Sequence, residues 1–231
     1  MKPRKDKIIK FCDHTCLFSL FAIAFFLPIS KGAIESFSTL AIVFFCIKKI
    51  LQRKNIIKTN LNHFIFIYLL VCFLSVFLSS NIGISTKTFA AKILEYAAFF
   101  FVVVETLNTK ERINKLISIL LFSSAILGVD GIYQYFTHKD FLRHRPEIFV
   151  DRIYASFNTP NSFGCYLAMA LPFTIIHFLT PLKSIKVRVF SFLLFLLLFV
   201  CLILTVSRGA WFAFLASALF MSLWIRPLAL F

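Results

Sequence analysis

The sequence predicts an all-α protein: a polytopic membrane helix bundle of about eight transmembrane helices, forming a single integral-membrane domain over residues 1–231. Three observations carry this expectation. Of the 231 residues, 60% are hydrophobic and mean hydropathy is +0.88, well above the roughly 45–50% apolar share of soluble domains. Apolar runs close to span length follow one another along the chain. Short basic patches alternate between them. The 32 Phe side chains would overfill a soluble core of this size, whereas in lipid they need no protein partner.

A span takes about 20 mostly apolar residues to cross about 30 Å of hydrocarbon. The first run, 11–30, follows the basic stretch MKPRKDKIIK. That start resembles a signal peptide, but no small-residue cleavage site follows, so it reads as an uncleaved first span. The second run, 33–50, is diluted at its start by GAIESFS. The next three are 63–80, 89–107 and 116–136. After a polar loop at about 137–159 come 160–180, 189–206 and 210–225.

The net charge of +15 comes from 25 Lys and Arg against 10 Asp and Glu. The basic residues sit in patches between apolar runs rather than on one face, which argues against nucleic acid. One set of loops holds residues 2–10, 48–58, 110–115 and 183–188, with Arg226 at the end. The other set and the adjoining span ends hold Lys31, Lys87, Lys92, Lys139, Arg143, Arg145, Arg152 and Arg208. The first set is richer, so both termini are expected to be cytoplasmic and the 137–159 loop to face outward. The six cysteines lie in or beside apolar runs and read as small hydrophobes rather than a disulfide framework. CDHTC, with Asp13 and His14 between Cys12 and Cys16, lacks a second ligand pair at zinc-like spacing, and no metal site is expected.

Candidate chemistry gathers on the outer side. In NTPN, Asn158 or Thr159 can cap a helix, Pro160 suits its first position and Asn161 falls in its first turn. A capped helix entering the membrane accounts for those residues, but not for Arg152 upstream. Nor does it account for SRGAW, where Ser207, Arg208 and Gly209 end the seventh span, again on the outer side. Two arginines and a helix N-terminus suit an anionic group, phosphate above all; the alternative is arginines that snorkel from span ends. Asp130 and Gln134 share a helical face nearby, and Asp130 is expected to pair with Arg208 or Arg152. Lys92 and Glu95, three apart, are expected to neutralise each other. His138 and His144 read as surface residues of a basic loop, which can also meet anionic lipid headgroups. Gly164 and Ala168, and Gly209, Ala213 and Ser217, have the four-residue spacing of close helix packing.

RIYASFNTPNSFGCYLAMALP, Arg152 to Pro172, followed one hairpin on by LTVSRGAWFAFLAS, Leu204 to Ser217, resembles the O-antigen ligase/polymerase family of bacterial inner-membrane proteins. The resemblance implies a polysaccharide polymerase or ligase of lipopolysaccharide biosynthesis. Such a glycosyltransferase moves an oligosaccharide from undecaprenyl diphosphate to lipid A–core or a growing glycan, at the outer face of the inner (plasma) membrane. It implies no nucleotide sugar, no cofactor and no metal. Its partners would be the lipid-linked oligosaccharide, the acceptor glycan and membrane lipids. Arg152 and Arg208 would bind the diphosphate with Ser207 beside them, Asn161 would orient it, and Asp130 is a possible orienting residue. A functionally important histidine of the family lies in a later loop. Neither His138 nor His144 matches it, so the catalytic residue is unassigned and the chain is expected to be the N-terminal portion of such an enzyme. Two alternatives stand beside this: a small-anion transporter, and a non-catalytic fragment of the transferase. Transporter sites sit near mid-membrane; this polar cluster sits at the outer edge, which favours the transferase.

Overall fold

The computed structural model describes residues 2–53, 57–144, 149, 151–179 and 184–228, without the side chains of 2–4 and 224–228. Lys54, Arg145 and Lys183, and the side chains of Lys2, Arg4 and Arg226, therefore lie outside the described residues. Among those described the protein is helical and has no β-strand. The α-helices are α1 (Lys2–Phe26), α2 (Lys31–Gln52), α3 (Asn62–Phe77), α4 (Ile82–Thr88), α5 (Leu94–Thr106), α6 (Lys110–Thr137), α7 (Pro160–Leu179), α8 (Ile185–Leu204) and α9 (Arg208–Leu228). A π-helical turn, Phe89–Ile93, joins α4 to α5 without a break.

Each of the eight apolar runs lies mostly within a described helix. Among the described residues four helices are long and apolar enough to cross a membrane: Lys5–Phe26, Lys110–Thr137, Pro160–Leu179 and Ile185–Leu204. α3 has 16 residues, about 24 Å at 1.5 Å per residue. It is cut short because Asn81 caps the next helix, its side chain accepting from the Ile84 N–H at 3.1 Å. α2 is diluted by Lys31, Glu35, Lys48 and Lys49. Local chemistry sets other ends too. Around Pro28 the amides of Ile29 and Ser30 both turn back to the Phe26 carbonyl. Ser184 caps α8 through the Val187 N–H, and Thr109 caps α6 through the Arg112 N–H at 3.3 Å.

The chain divides into two compact units, residues 1–23 with 32–116, and residues 24–31 with 117–231. In the first, Cys16 and Leu20 of α1 pack with Ala41 and Phe45 of α2 and Val102 of α5. These are four-residue repeats, which put the buried side chains of each helix on one face. Beside this core lies an ion-pair cluster that spacing did not foretell. Asp13 accepts from Lys48 at 2.7 Å and from Arg112 at 2.8 Å, while Lys49 meets Glu105 at 2.5 Å. Arg112 also donates to the Thr106 carbonyl at 2.8 Å. The Asp13 carboxylate of CDHTC is thus occupied by two cations, and the described residues hold no cluster of metal-ligating groups.

Lys92 and Glu95 do not form the expected pair. Lys92 falls in the π turn, where the extra residue shifts the α-helical register, and Glu95 accepts from the Ser38 hydroxyl at 2.7 Å instead. α3 leans on this π turn through Phe73 and Phe89, ring centroids 5.7 Å apart, and leaves most of its other aromatic side chains exposed.

In the second unit α7 is the central helix, packed against both α8 and α9. Phe163, Leu167, Ala170 and Leu171 of α7 are buried with Leu194, Leu198, Cys201 and Leu202 of α8 and with Ala210 and Phe214 of α9. Gly128 of α6 lets α8 approach closely; a Cβ there would meet Leu197 at 2.8 Å. Of the two small-residue stripes, only the one on α7 packs. Gly209 has open space around it and Ala213 is exposed. The face of α9 turned inward is Ala210 and Phe214, one residue further along.

Candidate functional site at the loop between α6 and α7

α6 holds both ends of the 138–159 loop. The Asp130 carboxylate, fully buried, accepts from the Phe141 N–H at 2.8 Å. One turn on, the Gln134 side-chain oxygen accepts from the N–H groups of Tyr154 and Ala155, both at 2.8 Å. Asp130 pairs with neither Arg208 nor Arg152, contrary to expectation: its carboxylate lies beneath the loop, where the Phe141 N–H reaches it. Elsewhere Ser156 donates to the Pro28 carbonyl at 2.6 Å, and Arg143 donates to the Ile29 carbonyl. His138 and His144 are exposed.

Between these anchors stands Arg152, half-buried. Its Nε donates to the Thr205 carbonyl at 2.9 Å, and Nη2 reaches Asn161 Oδ1 at 3.1 Å and the Val206 carbonyl at 3.4 Å. Those carbonyls end α8, where the helix dipole is negative and a cation is favoured. Nη1 makes no hydrogen bond to a described residue.

The break between α8 and α9 is sharp. The Thr205 hydroxyl turns back to the Leu202 carbonyl at 2.7 Å and also accepts from the Ser207 N–H at 3.3 Å. Val206 has φ +50°, a left-handed conformation rare for a β-branched residue. Trp211 secures the turn from the far side, donating from Nε1 to Leu202 at 2.9 Å. Helix α9 then starts at Arg208, which is exposed and makes no ion pair or hydrogen bond to a described residue through its side chain. Ser207 is buried.

At the start of α7, Thr159 proves to be the cap, its hydroxyl accepting from the Ser162 N–H at 3.2 Å. Gly164, one turn further on, faces the α8–α9 break: a Cβ there would meet Ala210 at 2.8 Å, Ser207 at 3.1 Å and Thr205 at 3.3 Å. Two helix N-termini, those of α7 and α9, therefore stand side by side. At α7 Pro160 has no N–H and Thr159 takes that of Ser162, which leaves the Asn161 N–H, while at α9 the first N–H groups, from Arg208 to Ala210, have no intrahelical partner.

Of the predicted site residues, Arg152 and Asn161 are in direct contact. Ser207 and Arg208 lie at the turn that Arg152 holds, and Asp130 supports the loop from below. The part played by Gln134 and the carbonyls of Thr205 and Val206 that accept from Arg152 escaped the sequence, whereas Gly164 was legible as a close-packing residue. Gln134 was visible only as a polar neighbour of Asp130, and nothing marked it as the residue that would bind the loop. Comparison of the chain with protein-family models, with curated proteins and with solved structures finds no match.

Proposed function

We propose that this site binds the diphosphate of a lipid-linked oligosaccharide. In this reading the protein is an O-antigen ligase-like component of glycan transfer from undecaprenyl diphosphate to lipid A–core or a growing glycan. The observation that carries it is the juncture at Gly164. It sets the N-termini of α7 and α9 together, with Arg152 bound to Asn161 beside them and Arg208 exposed on the first turn of α9. The N–H groups at the start of α9, the Asn161 N–H of α7 and the positive ends of two helices favour a dianion. Guanidinium forks match phosphate oxygens. Charge that develops on a departing diphosphate would be stabilised by donors already in position.

The reading takes the protein as a bacterial inner-membrane protein with eight spans, both termini cytoplasmic and this site on the outer face. The charge alternation supports it, as does the ion-pair cluster. Lys48, Lys49 and Arg112, all assigned inward by their loops, meet one another's carboxylate partners.

The test is binding of farnesyl diphosphate to the purified full chain in nanodiscs of zwitterionic lipid, with farnesol as the chargeless control. The diphosphate should bind and farnesol should not, and Arg208→Ala should weaken binding by about tenfold or more, as expected for loss of a charge-assisted hydrogen bond. Equal binding of diphosphate and alcohol, or an Arg208→Ala protein that binds like the parent, overturns the reading.

A further inference from the structure

The geometry points to Gln134 as the positioning residue of the arginine site, a role that rests on the diphosphate reading for its purpose but not for its geometry. Gln134 is 1% exposed and lies near the end of α6. Its one oxygen holds two successive backbone N–H groups, Tyr154 and Ala155, both at 2.8 Å. Its NH2 has no partner among the described residues, so its contribution to the fold is that oxygen. The segment it grips needs gripping: Asp151 and Ala155 have φ of +57° and +47°, conformations that cost energy and persist where surroundings hold them. Arg152 sits between those two residues. On its other side, the Ile153 N–H donates to the Leu204 carbonyl at 3.2 Å. The backbone that carries the guanidinium is thereby clamped between α6 and the end of α8, and from that position the guanidinium reaches Thr205, Val206 and Asn161 together. Gln134 touches no ligand; it acts through Arg152.

Two variants separate the acceptor from the shape of the side chain. Gln134→Met keeps the length and loses the acceptor. Gln134→Glu keeps an oxygen facing the loop and is made in an Asp130→Asn background, because a second carboxylate one turn from buried Asp130 would repel it. The ligand-free readout is modification of arginines by phenylglyoxal, located by peptide mass spectrometry. Exposed Arg208 serves as the reactive reference. Arg188, held by the Phe178 carbonyl at 3.1 Å at the other end of α8, is the control for general loosening. In Gln134→Met, Arg152 should become about as reactive as Arg208 while Arg188 stays protected, and Gln134→Glu should restore Arg152. Unchanged Arg152 labelling in Gln134→Met overturns the assignment. So does a rise of Arg152 and Arg188 together, or a Glu variant that labels like the Met variant. The second arm is farnesyl diphosphate binding, where Gln134→Met should raise the Kd by about tenfold at unchanged stoichiometry. If the parent itself does not distinguish the diphosphate from farnesol, it is the diphosphate reading that fails, and the labelling still decides the role of Gln134.

Discussion

Gly164 stands so close to Ala210 that a Cβ on the glycine would lie 2.8 Å from the alanine methyl, with Ser207 and Thr205 scarcely further. Real side chains do not approach so closely, and the neighbours are a methyl carbon and a capped turn rather than flexible side-chain ends. Gly164→Val should therefore force α7 away from α9, destabilising the protein by about 1–3 kcal/mol. The change should separate the two helix starts and abolish farnesyl diphosphate binding. Thermal unfolding in detergent and the binding assay check both effects; parental stability in the Gly164→Val protein would show that the helices are not in contact there. Gly209→Ala, by contrast, should be neutral in packing, because nothing lies within 4 Å of that position.

Arg208 is exposed at the start of α9. If it grips phosphate oxygens by a planar fork, Arg208→Lys should bind farnesyl diphosphate about as poorly as Arg208→Ala, since an ammonium supplies charge without paired donors. Full binding by the Lys variant would reduce the site to a point charge.

Asp13 holds the Lys48 ammonium, whose side chain is 8% exposed, and the guanidinium of Arg112. Removing this part-buried carboxylate leaves the Lys48 ammonium only Glu105, at 3.8 Å, which costs more than removing the pair. Asp13→Asn should destabilise the protein by about 1–3 kcal/mol, below the cost of breaking a fully buried pair. The double variant Asp13→Leu/Lys48→Met should be the more stable of the two. Denaturant unfolding of the two proteins decides it, and the opposite order would mean that water already solvates Lys48.

The charge alternation assigns the Asn158 side outward and the Lys110 side inward. In a chain with its six cysteines replaced, Asn158→Cys should react with a membrane-impermeant maleimide on intact cells. Lys110→Cys should react only after permeabilisation. Both positions are exposed, so a reversed pattern would refute the orientation rather than reflect burial.

The helices were legible because apolar run length is a one-dimensional property. So was the start of α7, where Thr159 and Pro160 carry their own instructions. What stayed hidden depends on partners remote in sequence. Spacing shows that Gly209, Ala213 and Ser217 share a face but not which face turns inward; Ala210 and Phe214 won because the tight turn at Val206 sets the rotation of α9. The carboxylate of Asp130 went to a backbone N–H rather than an arginine because the loop folds over it. The expected Lys92–Glu95 pair failed on a single inserted residue, the π turn. The arginines were legible as charge, but the amide of Gln134 that fixes one of them was not.

The ion-pair cluster also bears on how the chain is made. Synthesis delivers Asp13 35 residues before Lys48 and 99 residues before Arg112. α1 thus carries a part-buried carboxylate whose partners are translated after it. α1 gains its counter-charge only when α2 arrives, and the pairing is completed when the start of α6 comes within reach. The tie is in this way forward along the chain: α1 is fastened to α2, and then to the start of α6, by cations that are made after it.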